Sequence, residues 1–400
     1  MSYVCHALMT DAKPIPARIL PIIIIAQFTG TSLWFAANAV LPELINNFHF
    51  DQKDLGTITS AVQLGFISGT LLFAIFTIAD KYSPSKVFFV CATLGAIANL
   101  FTTIIPLSLI NLSILRFFVG VLLAGIYPVG MKISADWFDK GLGKALGYLV
   151  GALVLGTAFP HLIRALGGNF DWTFVLITVS SLSFLGGVAI LLFVPDGPHR
   201  KKSSGFKPQA VLVLFKEPDL RSAAYGYFGH MWELYTFWAF VPFIFQYFFQ
   251  SRGWDGDVSA WSFVAIASGF LGSAIGGIYA QRFGSARVAY VQLFGSLICI
   301  LLTVAIDIMH PVIFVSYMVM WGTFVVGDSP QFSTLAARTA PKEWMGSALT
   351  IMNSIGFALT IPSIILANYL LSAYDNPKAF LILAIGPIFG LYHTRRLMKP

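Results

Sequence analysis

The chain has 400 residues, a length that in a soluble protein would correspond to two or three domains. Its composition excludes a soluble protein: 57% of the residues are hydrophobic, 15% are aromatic and only 11% are charged, whereas soluble globular chains carry about 25% charged residues. Because a membrane-spanning helix needs about 20 apolar residues, the sequence predicts an all-α polytopic membrane protein. We therefore interpret the net charge of +7 as a sign of topology rather than of nucleic-acid binding.

Twelve apolar runs bounded by polar, proline or glycine turns predict twelve membrane-spanning helices, here called spans 1 to 12. They lie near residues 19–41, 55–78, 86–105, 112–134, 145–164, 172–194, 221–248, 259–280, 286–308, 311–336, 346–372 and 379–394. The longest connection, 195–220, is basic and divides the chain into two six-helix bundles, 1–194 and 221–400. Its VLVLF segment is far too short to span and predicts an interfacial helix.

The distribution of lysine and arginine predicts the orientation. If the N-terminus is cytoplasmic, twenty of the 25 basic residues fall on the cytoplasmic side, Arg116 lies inside span 4, and Lys53, Arg164, Arg252 and Lys378 fall outside. By the positive-inside rule both termini are cytoplasmic, and we expect a multi-pass protein of the bacterial inner membrane. The polar start, MSYVCHALMTDAKPIPAR, lacks a cleavage site and is not expected to be a signal peptide. Cys5, Cys91 and Cys299 form no disulfide framework.

The two halves of the chain are similar to each other. Four short segments recur in the same order at a nearly constant offset, which indicates an internal duplication. The pairs are FTG (28–30) with FGH (228–230), ADKYSPSK (79–86) with AQRFGSAR (280–287), GIYP (125–128) with GDSP (327–330), and GKAL (143–146) with GSAL (346–349). Such duplication is typical of transporters whose halves rock about a central site.

Several motifs add a family resemblance to this repeat. The loop after span 2 keeps Phe76, Asp80, Lys81, Ser83 and Lys86, its copy after span 8 keeps Gly277, Gln281, Arg282, Gly284 and Arg287, span 4 has Arg116, Gly120, Ala124 and Gly125, and span 5 has Gly147, Gly151, Gly156 and Pro160. In these motifs, the repeat and the twelve spans, the chain resembles the major facilitator superfamily over nearly its whole length. The resemblance implies two pseudo-symmetric six-helix bundles, secondary active transport by alternating access, and a cavity lined by spans 1, 4, 7 and 10. It also implies that spans 2, 5, 8 and 11 meet across the two halves. The glycine pairs Gly65/Gly69, Gly147/Gly151 and Gly272/Gly276 permit close helix contact and are expected to let the halves slide there.

The family pattern also implies a conformational latch in the loops on the cytoplasmic side. Asp80 is expected to lie against the N-terminus of span 11, where the helix dipole favours an anion. Lys81 is expected to pair with Asp136, and Arg282 occupies the equivalent loop of the second half. These contacts would hold the outward-open state.

Ionisable residues inside the spans are candidates for function, because each costs about 2.5–3.5 kcal/mol near the bilayer centre. Glu233 in span 7 is the strongest candidate for proton coupling, and His230, one turn earlier on the same face, is expected to pair with it by sharing the proton or orienting the carboxylate. A neutral Glu233 that only fixes packing, and an H-x-x-E half of a metal site, are the alternatives; we expect no metal. Asp328 is a second protonation site, a cation-binding carboxylate or a hinge residue beside Pro330.

Arg116 has two possible roles, as the counter-charge of an anionic substrate or as the partner of a buried carboxylate. Polar and aromatic stripes at helical spacing predict a substrate cavity. Its candidate substrate-binding residues, besides Arg116, are Gln27, Thr31, Trp34 and Asn38 in span 1, Tyr127 in span 4, Trp232 and Tyr235 in span 7, and Tyr317 and Trp321 in span 10.

The leading hypothesis is a proton-coupled transporter of a small organic solute, with export favoured by the span 5 pattern. The alternative is uptake of a small anion of the nitrate type through Arg116. A non-transporting receptor would not need carboxylates in its spans, and an enzyme is not expected because the chain lacks G-x-S-x-G, HExxH and P-loop motifs. We expect no cofactor, the proton gradient as energy source, a small-molecule substrate and a lipid bilayer as partners, no nucleic acid, and a monomer.

Overall fold

A computed structural model of the chain describes residues 15–48, 50–51, 53–139, 141–168, 170–200 and 205–398. The expectations about the polar start and Cys5, and the positions of Lys13, Lys140, Lys201, Lys202 and Lys399 in the charge distribution, lie outside these residues.

The N-terminal half contains spans 1 to 6. Their helices are Ile19–Thr31, Ala36–Ala39 and Leu41–Phe48 (span 1), Asp54–Ile75 (span 2), Pro84–Phe101 (span 3), Leu109–Leu123 and Tyr127–Trp137 (span 4), Leu142–Gly167 (span 5) and Thr173–Phe193 (span 6). A short helix, Ile78–Lys81, follows span 2. Helix starts follow ordinary rules: Pro84 occupies the first turn of span 3, and the Ser108 side chain accepts from the Asn111 amide to cap span 4.

The C-terminal half contains spans 7 to 12. Their helices are Pro218–Arg252 (span 7), Val258–Ala267 and Gly269–Phe283 (span 8), Ser285–Leu301 continued by the 3₁₀ turn Leu302–Ile308 (span 9), Pro311–Gly327 and Ser329–Thr339 (span 10), Met345–Tyr374 (span 11), and the 3₁₀ turn Pro377–Ala384 followed by Ile385–Thr394 (span 12). A last 3₁₀ turn covers Arg395–Met398. The predicted interfacial segment of the linker is the helix Ala210–Lys216.

Within the described ranges, nine helical segments are long and apolar enough to cross a membrane. The three remaining crossings are span 1, whose helix is broken, the 35-residue span 7, and span 12, which begins as a 3₁₀ turn. Large apolar side chains such as Ile110, Ile278 and Val312 are exposed on the outside of the bundle, as expected of a surface that faces lipid. The predicted fold class, twelve membrane helices in two six-helix bundles, is confirmed.

Spans 4 and 10 are broken at the same repeated motif. Span 4 ends one helix at Leu123 and begins the next at Tyr127, and span 10 is interrupted at Asp328. Each second helix carries a proline in its first turn, Pro128 and Pro330, which has no amide hydrogen to donate to the preceding turn. The GIYP and GDSP segments therefore place two equivalent interruptions near the middle of the molecule.

Span 1 has a break that the sequence does not predict, because residues 32–35 contain neither proline nor glycine. The hydroxyl of Thr31 donates to the Gln27 carbonyl at 2.8 Å, and that of Ser32 donates to the Thr29 carbonyl at 2.6 Å. Side chains that bond their own turn in this way compete with the helical backbone pattern. Span 1 therefore consists of the helix Ile19–Thr31, joined by a turn to the short helices Ala36–Ala39 and Leu41–Phe48.

The two halves meet through spans 2 and 11 and through spans 5 and 8, as the family resemblance implies. Within each half, span 2 packs on span 4 and span 8 on span 10. The linker lies at one end of the molecule, called the linker face, where the Lys207 amide donates to the Ser347 hydroxyl at the start of span 11. Lys53, Arg164, Arg252 and Lys378 lie at helix ends on the opposite face.

The predicted glycine pairs serve mainly the packing inside each half. Gly65 and Gly69 face the backbone of span 4, and Gly272 faces that of Thr323 in span 10. Gly151 does face Phe270 across the interface between the halves, whereas Gly147 faces open space. The expectation that these pairs form sliding surfaces between the halves is therefore wrong for the pairs of spans 2 and 8, because their small faces are used within one bundle.

Candidate functional site

A cavity of about 290 Å³ lies between the two halves and reaches the linker face. Spans 2, 4 and 5 line it from the N-terminal half, and spans 7, 10 and 11 from the C-terminal half. Asp80 and Lys132 stand at its linker-face end, with the Asp80 carboxylate 2.7 Å from the Lys132 amino group, and both side chains are about a quarter exposed. The cavity thus opens toward the face that carries the linker.

A cluster of aromatic rings closes the inner end of this cavity. Its members, here called the aromatic cluster, are Trp34, Phe35, Phe66, Tyr235, Trp238 and Phe357. Phe66 and Phe357 have ring centroids 4.5 Å apart, and Trp34 lies 5.4 Å from Tyr235. Because these contacts join spans 1 and 2 to spans 7 and 11, the cluster holds the two halves together beyond the cavity.

A second cavity opens on the opposite face, between spans 1, 5, 7 and 8. Asn38 and Pro242, which line it, come just after cluster residues in spans 1 and 7. Glu43 and Arg164 form an ion pair on its wall. The aromatic cluster therefore separates two water-accessible spaces on opposite sides of the molecule.

Three buried ionisable residues lie behind the wall of the first cavity, in the C-terminal bundle. His230 Nδ1 is 2.7 Å from Asp328 Oδ1, so spans 7 and 10 are joined at the break in span 10. Glu233 accepts a hydrogen bond from the Ser296 hydroxyl of span 9 at 2.7 Å. All three side chains are fully buried, whereas their neighbours Met231, Leu234 and Ser329 line the cavity.

The partners of these three residues differ in part from those that the sequence predicts. The predicted pairing of His230 with Glu233 is wrong in this structure, because Asp328 is the partner of His230 and Ser296 that of Glu233. Asp328 lies at the break of span 10, the position expected of a hinge residue, and its carboxylate also lies next to the His230 imidazole. The described residues contain no group of three or more side chains placed to hold a metal ion.

Arg116 is buried away from the cavity. Its guanidinium donates to the carbonyls of Leu33, at 2.9 Å, and of Trp34, both in the break of span 1, and to Asn99 Oδ1 at 3.3 Å. Neither predicted role, the counter-charge of a substrate or the partner of a carboxylate, is filled in this structure. The broken span supplies the acceptors instead.

Of the ten predicted substrate-binding residues, the cavity is lined by Tyr127 and Tyr235. Trp34 lies one layer behind, in the aromatic cluster. The others are engaged elsewhere or buried: Asn38 bonds Thr59, Tyr317 bonds the Cys299 carbonyl, Trp232 bonds the Ile382 carbonyl, and Gln27, Thr31, Trp321 and Arg116 are buried outside the lining. The implied lining by spans 1, 4, 7 and 10 is correct for spans 4, 7 and 10. Span 1 does not line this cavity; its residues Asn38, Ala39, Pro42 and Glu43 line the second cavity on the opposite face instead.

Of the face of span 7 that lines the cavity, the sequence interpretation found only Tyr235. Tyr227, Met231, Leu234 and Trp238 are spaced by four, three and four residues, the spacing of one helix face. The prediction relied on His230 and Glu233, which lie on the adjacent face of span 7. That face packs against spans 9 and 10. Phe228, Trp232 and Tyr235 show the same spacing, so spacing alone does not distinguish this face from its neighbour.

The residues of the expected latch are arranged differently in this structure. Asp80 pairs with Lys132, and Asp136 lies 3.8 Å from the same Lys132, so that Lys81 forms no ion pair with any described residue. Lys207 of the linker occupies the N-terminus of span 11 that was predicted for Asp80. Arg282 is exposed and lies over the Phe283 ring. The Lys81–Asp136 pairing is therefore not present with the linker-face cavity open.

The family model of the Major Facilitator Superfamily matches residues 23–391. The chain belongs to the Major Facilitator Superfamily. The family consists of secondary transporters that work by alternating access, so the chain is a multi-pass membrane transporter of a small molecule. No curated protein is similar enough in sequence to count as a relative.

Solved structures of this superfamily share the fold. A bacterial homologue of the human lysosomal transporter Spinster, inward-facing and unoccupied, is 14% identical with a TM-score of 0.70, covering 96% of this chain and 98% of its own. Its inward-facing, occupied form is 14% identical with a TM-score of 0.67, and the match covers 96% of each chain. A mutant of the nucleoside transporter NupG is 15% identical with a TM-score of 0.72, and the match covers 95% of this chain and all of its own. At such identities the likeness concerns the fold alone.

Proposed function

We propose that this superfamily member is a proton-coupled transporter that moves a small organic solute across the bacterial inner membrane, with export as the favoured direction. The observation that carries the proposal is the buried group of His230, Asp328 and Glu233 directly behind the cavity wall. An ionisable group at this depth is retained where it serves a pathway, and carboxylates can take up and release protons as access alternates. The proton gradient then replaces any cofactor as the energy source.

The position of the acidic group supports coupling between proton and solute. Asp328 lies at the interruption of span 10, and the adjacent Ser329 lines the cavity. A change in the charge of Asp328 alters its attraction to His230 and hence the contact between spans 7 and 10. Because both spans line the cavity, protonation and solute occupancy act on the same helices.

Nitrate-type uptake through Arg116 is disfavoured. Arg116 is held by two carbonyls and Asn99 outside the cavity, and an anion in the cavity would meet no unpaired cation among the lining residues. The proposed orientation places the linker face in the cytoplasm, in agreement with the basic loops, and the cavity then opens inward. We further propose that the transporter acts as a monomer, since both halves of the cavity come from one chain.

The test uses purified protein in proteoliposomes that contain a pH-sensitive dye. A library of uncharged, anionic and cationic metabolites is added to the outside, and the solute that produces the largest change of internal pH becomes the probe. We expect Glu233→Gln and Asp328→Asn to reduce probe-driven proton movement at least tenfold while exchange of labelled probe across the membrane continues.

Asp307→Asn is the matched control, because Asp307 is a carboxylate of the opposite face that pairs with Lys378 far from the cavity. It should leave proton movement unchanged. Full proton movement in both Glu233→Gln and Asp328→Asn, or solute flux that ignores the pH gradient in the unaltered protein, would overturn the coupling proposal.

A further inference from the structure

The charges around the cavity restrict the solute. Asp80 and Lys132 are the charged members of the lining, and they neutralise each other at 2.7 Å at the linker-face end. The deeper lining, between these two and the aromatic cluster, consists of apolar, aromatic, hydroxyl and amide side chains. A charged solute moved to that depth would lose water without gaining a counter-charge, which is strongly unfavourable.

The deep end of the cavity presents ring faces. Phe66, Tyr235 and Phe357 line it and contact one another at centroid distances of 4.5 and 5.1 Å. They come from spans 2, 7 and 11, so a ring placed among them would touch both halves at once. Aromatic pairs gain about 0.5–1.5 kcal/mol beyond simple burial, which favours a flat, ring-bearing solute over an aliphatic one.

Three tyrosine hydroxyls add polar groups to this apolar lining. Tyr127, Tyr227 and Tyr235 line the cavity, and their hydroxyl groups form no hydrogen bond with any residue that the structure describes. Buried tyrosines usually find a partner, and Tyr317, outside the lining, donates to the Cys299 carbonyl at 3.0 Å. The three hydroxyls are therefore available to a solute, from span 4 of one half and span 7 of the other.

From these observations we infer that the cavity binds an uncharged, ring-bearing solute with hydrogen-bonding substituents. The inference rests on the proposed transport function and names its substrate class. The volume of about 290 Å³ is close to the lower end of the range of about 300–1,000 Å³ for small-molecule sites, so a solute with one or two rings fits. The rings of the aromatic cluster set the plane of the solute, and the tyrosine hydroxyls bond its substituents.

The experiment measures thermal stabilisation of the purified, full-length protein by a panel that varies charge on a constant ring. Matched sets are indoleacetamide, indoleacetate and tryptamine, and phenylacetamide, phenylacetate and phenethylamine, with cyclohexylacetamide as the ring control; they are included in a wider library of metabolites of similar size. We expect the strongest stabilisers to be uncharged and aromatic. A strongest stabiliser that is charged or lacks an aromatic ring, cyclohexylacetamide included, or a library without any stabiliser, would overturn the inference.

Variants of the lining refine the test. Tyr235→Phe keeps the ring and removes one hydroxyl, and it should weaken the Kd of the best stabiliser about tenfold. Tyr317→Phe is the matched control, because its hydroxyl is bonded outside the lining, and it should leave the Kd unchanged. Equal affinity in Tyr235→Phe, Tyr127→Phe and Tyr227→Phe would exclude the hydroxyls as solute contacts.

Failure of this inference and failure of proton coupling are distinguishable, because binding is measured without a gradient. An uncharged aromatic ligand that moves no protons in proteoliposomes would retain the substrate class and remove the coupling. A charged solute whose transport moves protons through Glu233 would exclude the substrate class and retain the coupling.

Discussion

The guanidinium of Arg116 closes the break in span 1. Two carbonyls of the turn, those of Leu33 and Trp34, and the amide oxygen of Asn99 accept its hydrogen bonds in a fully buried setting. Carbonyls left without donors inside a membrane protein cost several kcal/mol each. Arg116 therefore satisfies the backbone carbonyls of the interrupted helix, and those carbonyls in turn satisfy its buried guanidinium. This role is structural.

Replacing Arg116 with Leu should lower the free energy of unfolding by about 2–5 kcal/mol, because the three acceptors lose their donor while the volume is largely kept. Thermal unfolding in detergent measures the effect as a lower midpoint. Arg252→Leu is the control, since Arg252 is an exposed arginine that bonds a single carbonyl, and it should change the midpoint little. An Arg116→Leu protein that unfolds normally but no longer binds the solute would show that Arg116 is a ligand instead.

At the scale of helices, the two halves use one packing device twice. Gly65 of span 2 faces Gly120 of span 4, and Gly272 and Gly269 of span 8 face the backbone of span 10 beside Gly322. Without side chains these helices approach closely, as small residues allow in membranes. This close packing makes each half a rigid body, which is required if the two halves are to rock as units.

Gly120→Ala should therefore destabilise the protein by about 1–3 kcal/mol, because the added methyl group would collide with the backbone of span 2. Gly147→Ala is the matched helix-interior control: open space surrounds it, and alanine favours the helix by up to about 1 kcal/mol. Unfolding midpoints of the two variants should thus move in opposite directions. A Gly120→Ala midpoint at or above that of Gly147→Ala would contradict the packing argument.

At the scale of the whole molecule, contacts between spans 2 and 11 help to close the path from the linker-face cavity to the opposite face. The Asn368 side-chain amide of span 11 donates to the Lys53 carbonyl beside span 2 at 2.6 Å, and the aromatic cluster lies deeper between the same spans. At the linker face the halves are separated by the cavity. Together with the contacts of spans 5 and 8, the contacts of spans 2 and 11 therefore contribute to the balance between the two open states.

Removing the Asn368 contact with Asn368→Leu should shift the population toward the state open on the opposite face. The reporter is Asn353→Cys, an exposed cavity position, in a background with Cys5→Ser; Cys91 and Cys299 are buried. We expect labelling by a hydrophilic maleimide in detergent to slow at least threefold, because the cavity is then closed more of the time. Ser372→Ala, which removes a bond confined to span 11, should leave the rate unchanged. Equal rates in the two variants would assign closure to other contacts.

Local patterns explain why so much of the fold was predictable. The twelve apolar runs, the basic linker and the GIYP–GDSP repeat depend on residue type and spacing, and the interruptions of spans 4 and 10 follow from Pro128 and Pro330. The break in span 1 was not predictable in the same way. It is stabilised by Arg116, which lies more than eighty residues away in the chain.

The sequence by itself determined that this chain spans the membrane twelve times as two related bundles and that His230, Glu233, Asp328 and Arg116 are buried, because hydropathy and its period depend on neighbouring residues only. The tertiary structure alone decided which partner each of these residues has, which face of span 7 lines the cavity, and that span 1 lies behind the lining. Those outcomes depend on helix rotation and on contacts between distant spans, and a few tens of degrees of rotation move a side chain from the cavity wall to the interior of a bundle.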